Sequence, residues 1–174
     1  AFVPAGNAVI DNGSFAWAGR PNGAAVRFYD LTDTLTVSIP NSALANAATT
    51  DALSIEAMMY VNRQVAYGRG NADLFVLSKG WNAEFALRHN IWTAGPAISG
   101  GATSLVDYAT LGNYLKTGQW QHLKIRLSKT NYTVAIDGQT IASVASTDLA
   151  NCGGSGNATF KIGGWDGWID EVVV

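Results

Sequence analysis

The sequence predicts an all-β fold, an antiparallel β-sandwich or jelly roll, and three observations carry that prediction. Apolar and polar residues alternate with period two in stretch after stretch, as strands with one buried face require. Gly, Asn, Asp and Pro punctuate those stretches with turn chemistry. Helical periodicity is nearly absent, so the crossover helices of a parallel sheet are missing.

Along the chain, "AAVRFYD" and "DTLTVSIP" are the first alternating segments. "NSALANAATTDA" follows, with the weak pattern of a turn or short helix. In "ALSIEAMMYV", Leu53, Ile55, Ala57, Met59 and Val61 form one face and Ser54, Glu56, Met58 and Tyr60 the other. "DLFVLSK" alternates likewise, and in "AEFALRHNIW" Phe85, Leu87, His89 and Ile91 oppose Ala86, Arg88, Asn90 and Trp92. Residues 92–119 carry little pattern, and the Gly-rich stretches at 95–101 and 153–156 read as loops. Long loops on a rigid sandwich are where binding usually resides. "QHLKIRLS" leads into "YTVAIDGQTIASV", a hairpin whose Asp137-Gly138 pair supplies a turn that accepts positive φ. "ATFKIGG" and "GWIDEVVV" complete the strand set.

A length of 174 residues fits one domain spanning 1–174, with no repeat or linker to divide it. Charged residues are only 14% against 48% hydrophobic, so Asn, Thr, Ser and Gln must supply the polar surface of a folded domain. Net charge is −2 and Lys and Arg are scattered singly, which excludes an electrostatic footprint for nucleic acid or anionic membrane. No apolar run reaches the length of a membrane span. The single Cys152 excludes an internal disulfide and multi-cysteine metal sites. The start at Ala1 and the strand-like last residues read as cuts, which raises the expectation of a processed product or a module of a larger multidomain protein.

Eight segments, in order, carry a resemblance: "VRFYD", "LTVSIPNS", "LSIEAMMYV", "VLSKGW", "GQWQHLKIRL", "VAIDGQTIAS", "FKIGG" and "GWIDEVVV", together covering residues 24–174. The run resembles the laminin G-like jelly rolls of the concanavalin A-like lectin and glucanase superfamily. It departs from that pattern at Tyr29-Asp30-Leu31, where Asp-Gly is usual, and at Met58, where Trp is frequent. The resemblance implies two curved antiparallel sheets, with a concave face and rim loops used for carbohydrate. It also implies a structural Ca²⁺ tying the start of the chain to the closing strand. Asp170 matches the ligand position there, with Asp11, Asn12 and Asp30 as partners toward the 6 to 8 oxygens that the ion takes. In the alternative, Asp170 accepts backbone N–H bonds and binds nothing. The fold itself hosts adhesion, lectin, lyase, hydrolase and structural roles.

Sugar recognition needs apolar faces for C–H surfaces and planar hydrogen-bonding groups for hydroxyls. Trp81, Asn82, Trp92, Tyr108 and Tyr114 lie in or beside the expected rim loops, and Glu56, Tyr60, Arg88 and Trp92 are expected to converge on the concave face. Trp165, in a Gly-flanked turn with Asp166, is a further ligand-contact candidate. Trp168 is assigned to the edge of the core, sharing a face with Asp170, Val172 and Val174. Each aromatic has the competing role of capping the core. Trp17 and Trp120 are read as structural, and His122 as making an ordering hydrogen bond in the sheet.

For catalysis the signal is thin. No two of Glu56, Glu84 and Glu171 share a strand at the spacing of a glucanase carboxylate set, and no Gly-x-Ser-x-Gly, His-Glu-x-x-His or P-loop is present. The expectation is a noncatalytic glycan-binding or adhesion module of a secreted or cell-surface protein. One rival is a polysaccharide lyase or glycoside hydrolase using Glu56, Arg88 and His89. The other is a structural or protein-interaction domain without a sugar site.

Overall fold

The structure, a computed structural model, describes residues 3–6, 8–11, 25–30, 32–49, 52–63, 72–79, 84–89, 95–98, 113–145, 149 and 154–174. Strands β1 (Val3–Ala5), β2 (Val9–Asp11), β3 (Ala25–Phe28) and β4 (Thr34–Ile39) precede the helix α1 (Asn41–Thr49). After it come β5 (Leu53–Arg63), β6 (Ala72–Ser78), β7 (Glu84–His89), β8 (Gly95–Ile98) and β9 (Trp120–Leu127). The chain continues with β10 (Asn131–Ile136), β11 (Gln139–Ala145), β12 (Ala158–Gly163) and β13 (Asp166–Val173). All nine alternating stretches of the sequence contain strands, whereas the short β1 and β2 and the strand β8 carry no such signal. Gly95–Ile98 is therefore an edge strand paired with β7, where the sequence reads as a loop.

The strands form two antiparallel sheets. One is six-stranded in the order β1-β4-β12-β6-β7-β8, and the other seven-stranded in the order β11-β10-β9-β5-β13-β3-β2. Their inner faces share one apolar core. Leu35, Phe75, Leu77, Phe85, Phe160 and Ile162 come from the first sheet, and Ile55, Met59, Leu123, Ile125, Val134 and Ile169 from the second. Phe85 and Tyr132 meet across the gap with ring centroids 5.3 Å apart. Burying each such side chain contributes about 1.5–3 kcal/mol, which is what the alternating pattern provides on both sheets. The helix α1 carries the chain from β4 in one sheet to β5 in the other, turning Leu44 and Ala47 inward as residues three apart on one face.

Two local devices hold the ends of these strands. Asp137 and Gly138 both have positive φ, the geometry of the two-residue hairpin turn joining β10 to β11. Asp33 is fully buried, and its Oδ2 accepts the backbone N–H of Tyr29 at 2.7 Å and of Asp30 at 3.3 Å. The Asp33 carbonyl accepts the Gly164 N–H at 3.2 Å, and a Cβ on Gly163 would lie 2.2 Å from that same oxygen. The "IGG" segment thus needs Gly163 because the backbone at Asp33 passes against it.

Candidate functional site

The outer face of the seven-stranded sheet is built by the residues that alternate with the core. On β5, Glu56, Met58 and Tyr60 alternate with the buried Ile55, Ala57 and Met59. On β9, Trp120, His122, Lys124 and Arg126 alternate with Gln121, Leu123, Ile125 and Leu127. Register sets them side by side: Tyr60 is paired with Trp120 on one flank and with Trp168 on the other, and Trp168 with Arg27. The result is one row of side chains crossing four strands. Tyr60 lies 5.4 Å from Trp120 and 5.5 Å from Trp168, ring centroid to centroid. At the end of the row the Arg27 guanidinium stacks over Trp168 at 4.3 Å and over Tyr29 at 4.5 Å. Arg27 is fixed by Asp166, with which it makes an ion pair, and by the Gly167 carbonyl at 2.9 Å.

Beside the rings lies a polar row. Glu56 Oε2 is 2.9 Å from His122 Nε2, and Glu56 Oε1 accepts from Lys124 Nζ at 2.7 Å. The Lys124 hydrogen bond, with the Lys124 charge and His122 adding to it, outweighs partial desolvation and holds the Glu56 carboxyl below the usual carboxylate range. Glu56 is therefore an ionised acceptor, the opposite of the raised carboxylic acid that protonates a leaving group in glycoside hydrolysis. His122 keeps its expected ordering hydrogen bond, made to Glu56. The polar row opens into a groove of about 770 Å³ lined by Leu53, Met58 and Val172 along its apolar part and by Ser54, Glu56 and His122 along its polar part.

Of the residues singled out by sequence, Glu56 and Tyr60 are brought together on this face. Trp81, Asn82, Trp92, Tyr108 and Asn12 lie outside the described residues. Arg88 does not converge with Glu56 and Tyr60, because it sits on β7 in the other sheet while Glu56 faces away from the core that separates the two. His89 is on that same strand. Tyr114 packs against the core, and its carbonyl accepts from Gln121 Nε2 at 2.7 Å. Trp165 is corrected outright: it is 1% exposed, edge-on to Phe28 with centroids 5.0 Å apart, and its indole N–H donates to the Tyr60 carbonyl at 3.2 Å. A ring closed in on every side contacts no ligand. Trp168, assigned by sequence to the core edge, is instead half-buried on the outer face, and Trp120 joins it there. The signal of Trp120 is present in the alternation of β9, whereas that of Trp168 is hidden by a register shift in β13.

The calcium candidates divide by position. Asp170 is on the outer face, where its Oδ1 accepts the Glu171 N–H at 2.7 Å. Asp30 lies past the opposite end of β3, about 17 Å along the strand direction from Ala25 at ~3.4 Å per residue. Its Oδ1 accepts both the hydroxyl and the N–H of Thr32, which hold the Asp30 carboxyl below its ordinary range. Asp11 pairs with Ala25, and Ile169, which precedes Asp170, pairs with Val26. Asp11 and Asp170 therefore fall in one zone of the sheet, on strands with β3 between them, and Asp30 does not join them. Among the described residues no three His, Cys, Asp or Glu side chains are grouped as ligands of one ion.

No protein-family model and no curated protein matches the sequence. Solved structures do. Domain 4 of AbnA, a GH43 extracellular arabinanase from Geobacillus stearothermophilus, seen in complex with arabinotriose, is similar at TM-score 0.59 and 18% identity, over 98% of this chain and 80% of that one. The carbohydrate esterase vb_24B_21 of the Shiga toxin-encoding bacteriophage phi24B is similar at TM-score 0.58 and 14% identity, over 98% and 88%. The cellulose-induced protein Cip1 gives TM-score 0.56 and 11% identity, over 96% and 84%. Such distant identity bears on architecture, and on that it agrees with the sheets described above: the chain is an all-β, antiparallel two-sheet β-sandwich.

Proposed function

We propose that the chain is a noncatalytic carbohydrate-binding module, laminin G-like in type, of a secreted or cell-surface protein, and that it takes a glycan on the outer face of the seven-stranded sheet. The observation that carries the reading is the row Trp120, Tyr60 and Trp168, ended by Arg27 and flanked by Glu56, His122 and Lys124. Rings supply apolar surface for the C–H side of sugars, and the neighbouring charged pair supplies oriented donors and acceptors for hydroxyls. The ordered motif run of the sequence supports the laminin G-like type. The similar structures include a domain bound to arabinotriose and a carbohydrate esterase, which supports a sugar ligand. Among the described residues no helix is long and apolar enough to cross a membrane.

Against the lyase or hydrolase reading stands the division of Glu56 from Arg88 and His89 between two sheets, together with the ionised state of Glu56. A structural Ca²⁺ at Asp170 and Asp11, completed by backbone carbonyls, is retained as a proposal, in which the ion would tie β2 to β13. Affinity gel electrophoresis against a panel of soluble polysaccharides tests the main reading. Retardation by at least one glycan is expected, with loss of it in Tyr60→Ala. Unretarded migration of the wild type on every polysaccharide refutes the reading.

A further inference from the structure

On the reading just given, we infer that the ligand is an uncharged glycan, one without uronate or sulfate groups. The cations described in and beside the ring row, Arg27 and Lys124, are each paired with a carboxylate. Arg27 is paired with Asp166, and Lys124 with Glu56, to which His122 is also hydrogen-bonded. An anionic sugar bound at one of these cations would have to share it with the protein carboxylate already in place, whose charge offsets the cation and repels the newcomer. It would also meet Asp170, which is set beside Met58 in the row next to the rings and has no cationic partner among the described residues. Among the described residues Asp170 is thus a carboxylate beside the rings with no cation against it, and it repels a uronate. Arg126 is exposed, but six residues along β9 from Trp120 it stands about 20 Å from the ring row.

The same pairs suit hydroxyls. Each Glu56 oxygen accepts one bond and keeps a lone pair, and the Lys124 ammonium has three donors of which Glu56 takes one. A hydroxyl is donor and acceptor at once, so vicinal hydroxyls can bond to both members of an ion pair without any net charge crossing the interface. Recognition of this kind releases no counterions and is nearly insensitive to salt.

The test is a matched pair of polymers: a neutral glucan and the same glucan oxidised at C6 to carboxylate, run with a wider set of neutral, uronate-bearing and sulfated polysaccharides at low and high salt. The expected result is that every retarding polymer is neutral, that oxidation weakens any glucan binding at least about tenfold, and that affinity changes less than about twofold with salt. Binding confined to uronate-bearing or sulfated polymers, weakened about tenfold or more by salt, overturns the inference while leaving the glycan-binding reading standing. Retardation by no polymer removes both.

Discussion

Truncating the two tryptophans of "GGWDGWIDE" separately distinguishes the fold from the site. Trp165→Ala removes an indole that is 1% exposed, set edge-on against Phe28 and donating to the Tyr60 carbonyl. The transfer loss and the cavity left behind together cost about 3–5 kcal/mol. For a domain of this size that lowers the thermal midpoint by roughly 6–20 °C. Trp168→Ala removes a ring that is partly exposed, with Tyr60 at 5.5 Å and Arg27 at 4.3 Å among its neighbours. Half-burial and one cation–π contact set its cost at about 1–2 kcal/mol. Urea unfolding followed by far-UV circular dichroism reads both losses without relying on indole fluorescence. Gel retardation of each folded variant then reads binding, which Trp168→Ala abolishes and Trp165→Ala retains wherever it remains folded. The reasoning is refuted if Trp165→Ala costs less than about 1 kcal/mol, or if Trp168→Ala destabilises as much as Trp165→Ala.

Lys124→Met returns the Glu56 carboxyl upward toward the ordinary glutamate range, read by a ¹³C NMR titration of that carboxyl; an unmoved midpoint removes Lys124 as the main cause. Because the folded-state value is lowered, the Glu56–Lys124 attraction is complete above the ordinary glutamate pKa and is lost as pH falls through Glu56's own lower value. Asp33→Ala leaves the N–H groups of Tyr29 and Asp30 without their carboxylate, for an expected loss of about 1–3 kcal/mol in urea unfolding; a neutral effect removes Asp33 as the clamp of that turn. If Asp170 and Asp11 hold Ca²⁺, adding the ion at a hundredfold its dissociation constant stabilises by about 2.7 kcal/mol. The thermal midpoint then rises over that in chelator and fails to rise in Asp170→Asn, whereas equal midpoints in Ca²⁺ and chelator remove the ion.

The fold was legible where a strand is long and has one dry face. Leu53, Ile55, Ala57, Met59 and Val61 were placed inward by alternation alone, and all but the partly buried Leu53 lie fully within the core. The Asp137-Gly138 turn was legible because few residues other than Gly, Asn and Asp accept its φ values. By contrast β1 and β2 have three residues each, too few for a period to register, and Gly95–Ile98 looks like a loop because its strand character comes from pairing with β7. Asp33 gave no signal either. Its carboxylate matters through the backbone amides that the turn at residues 29–33 directs onto it, a tertiary property of a residue type common in any loop.

The place of Trp168 differs from its expected position at the core edge because of the phase of β13. Counting back by twos from the core-facing Val172 puts Asp170 and Trp168 inside. The pairing with β5 shows why that count fails: Asp170 is opposite Met58 but Val173 is opposite Glu56, so three steps on β13 match two on β5. The extra residue is a bulge, accompanied by a positive φ at Glu171, and it reverses the alternation upstream of itself. Ile169 and Gly167 therefore turn inward, and Trp168 turns out to meet Tyr60 and Arg27. Gly167 in turn makes room for Trp165: a Cβ there would stand 1.9 Å from the Tyr60 carbonyl and 2.8 Å from the Trp165 ring. One inserted residue thus exchanges the roles of two tryptophans three apart, placing Trp165 beneath the strand and Trp168 on the face where a sugar would lie.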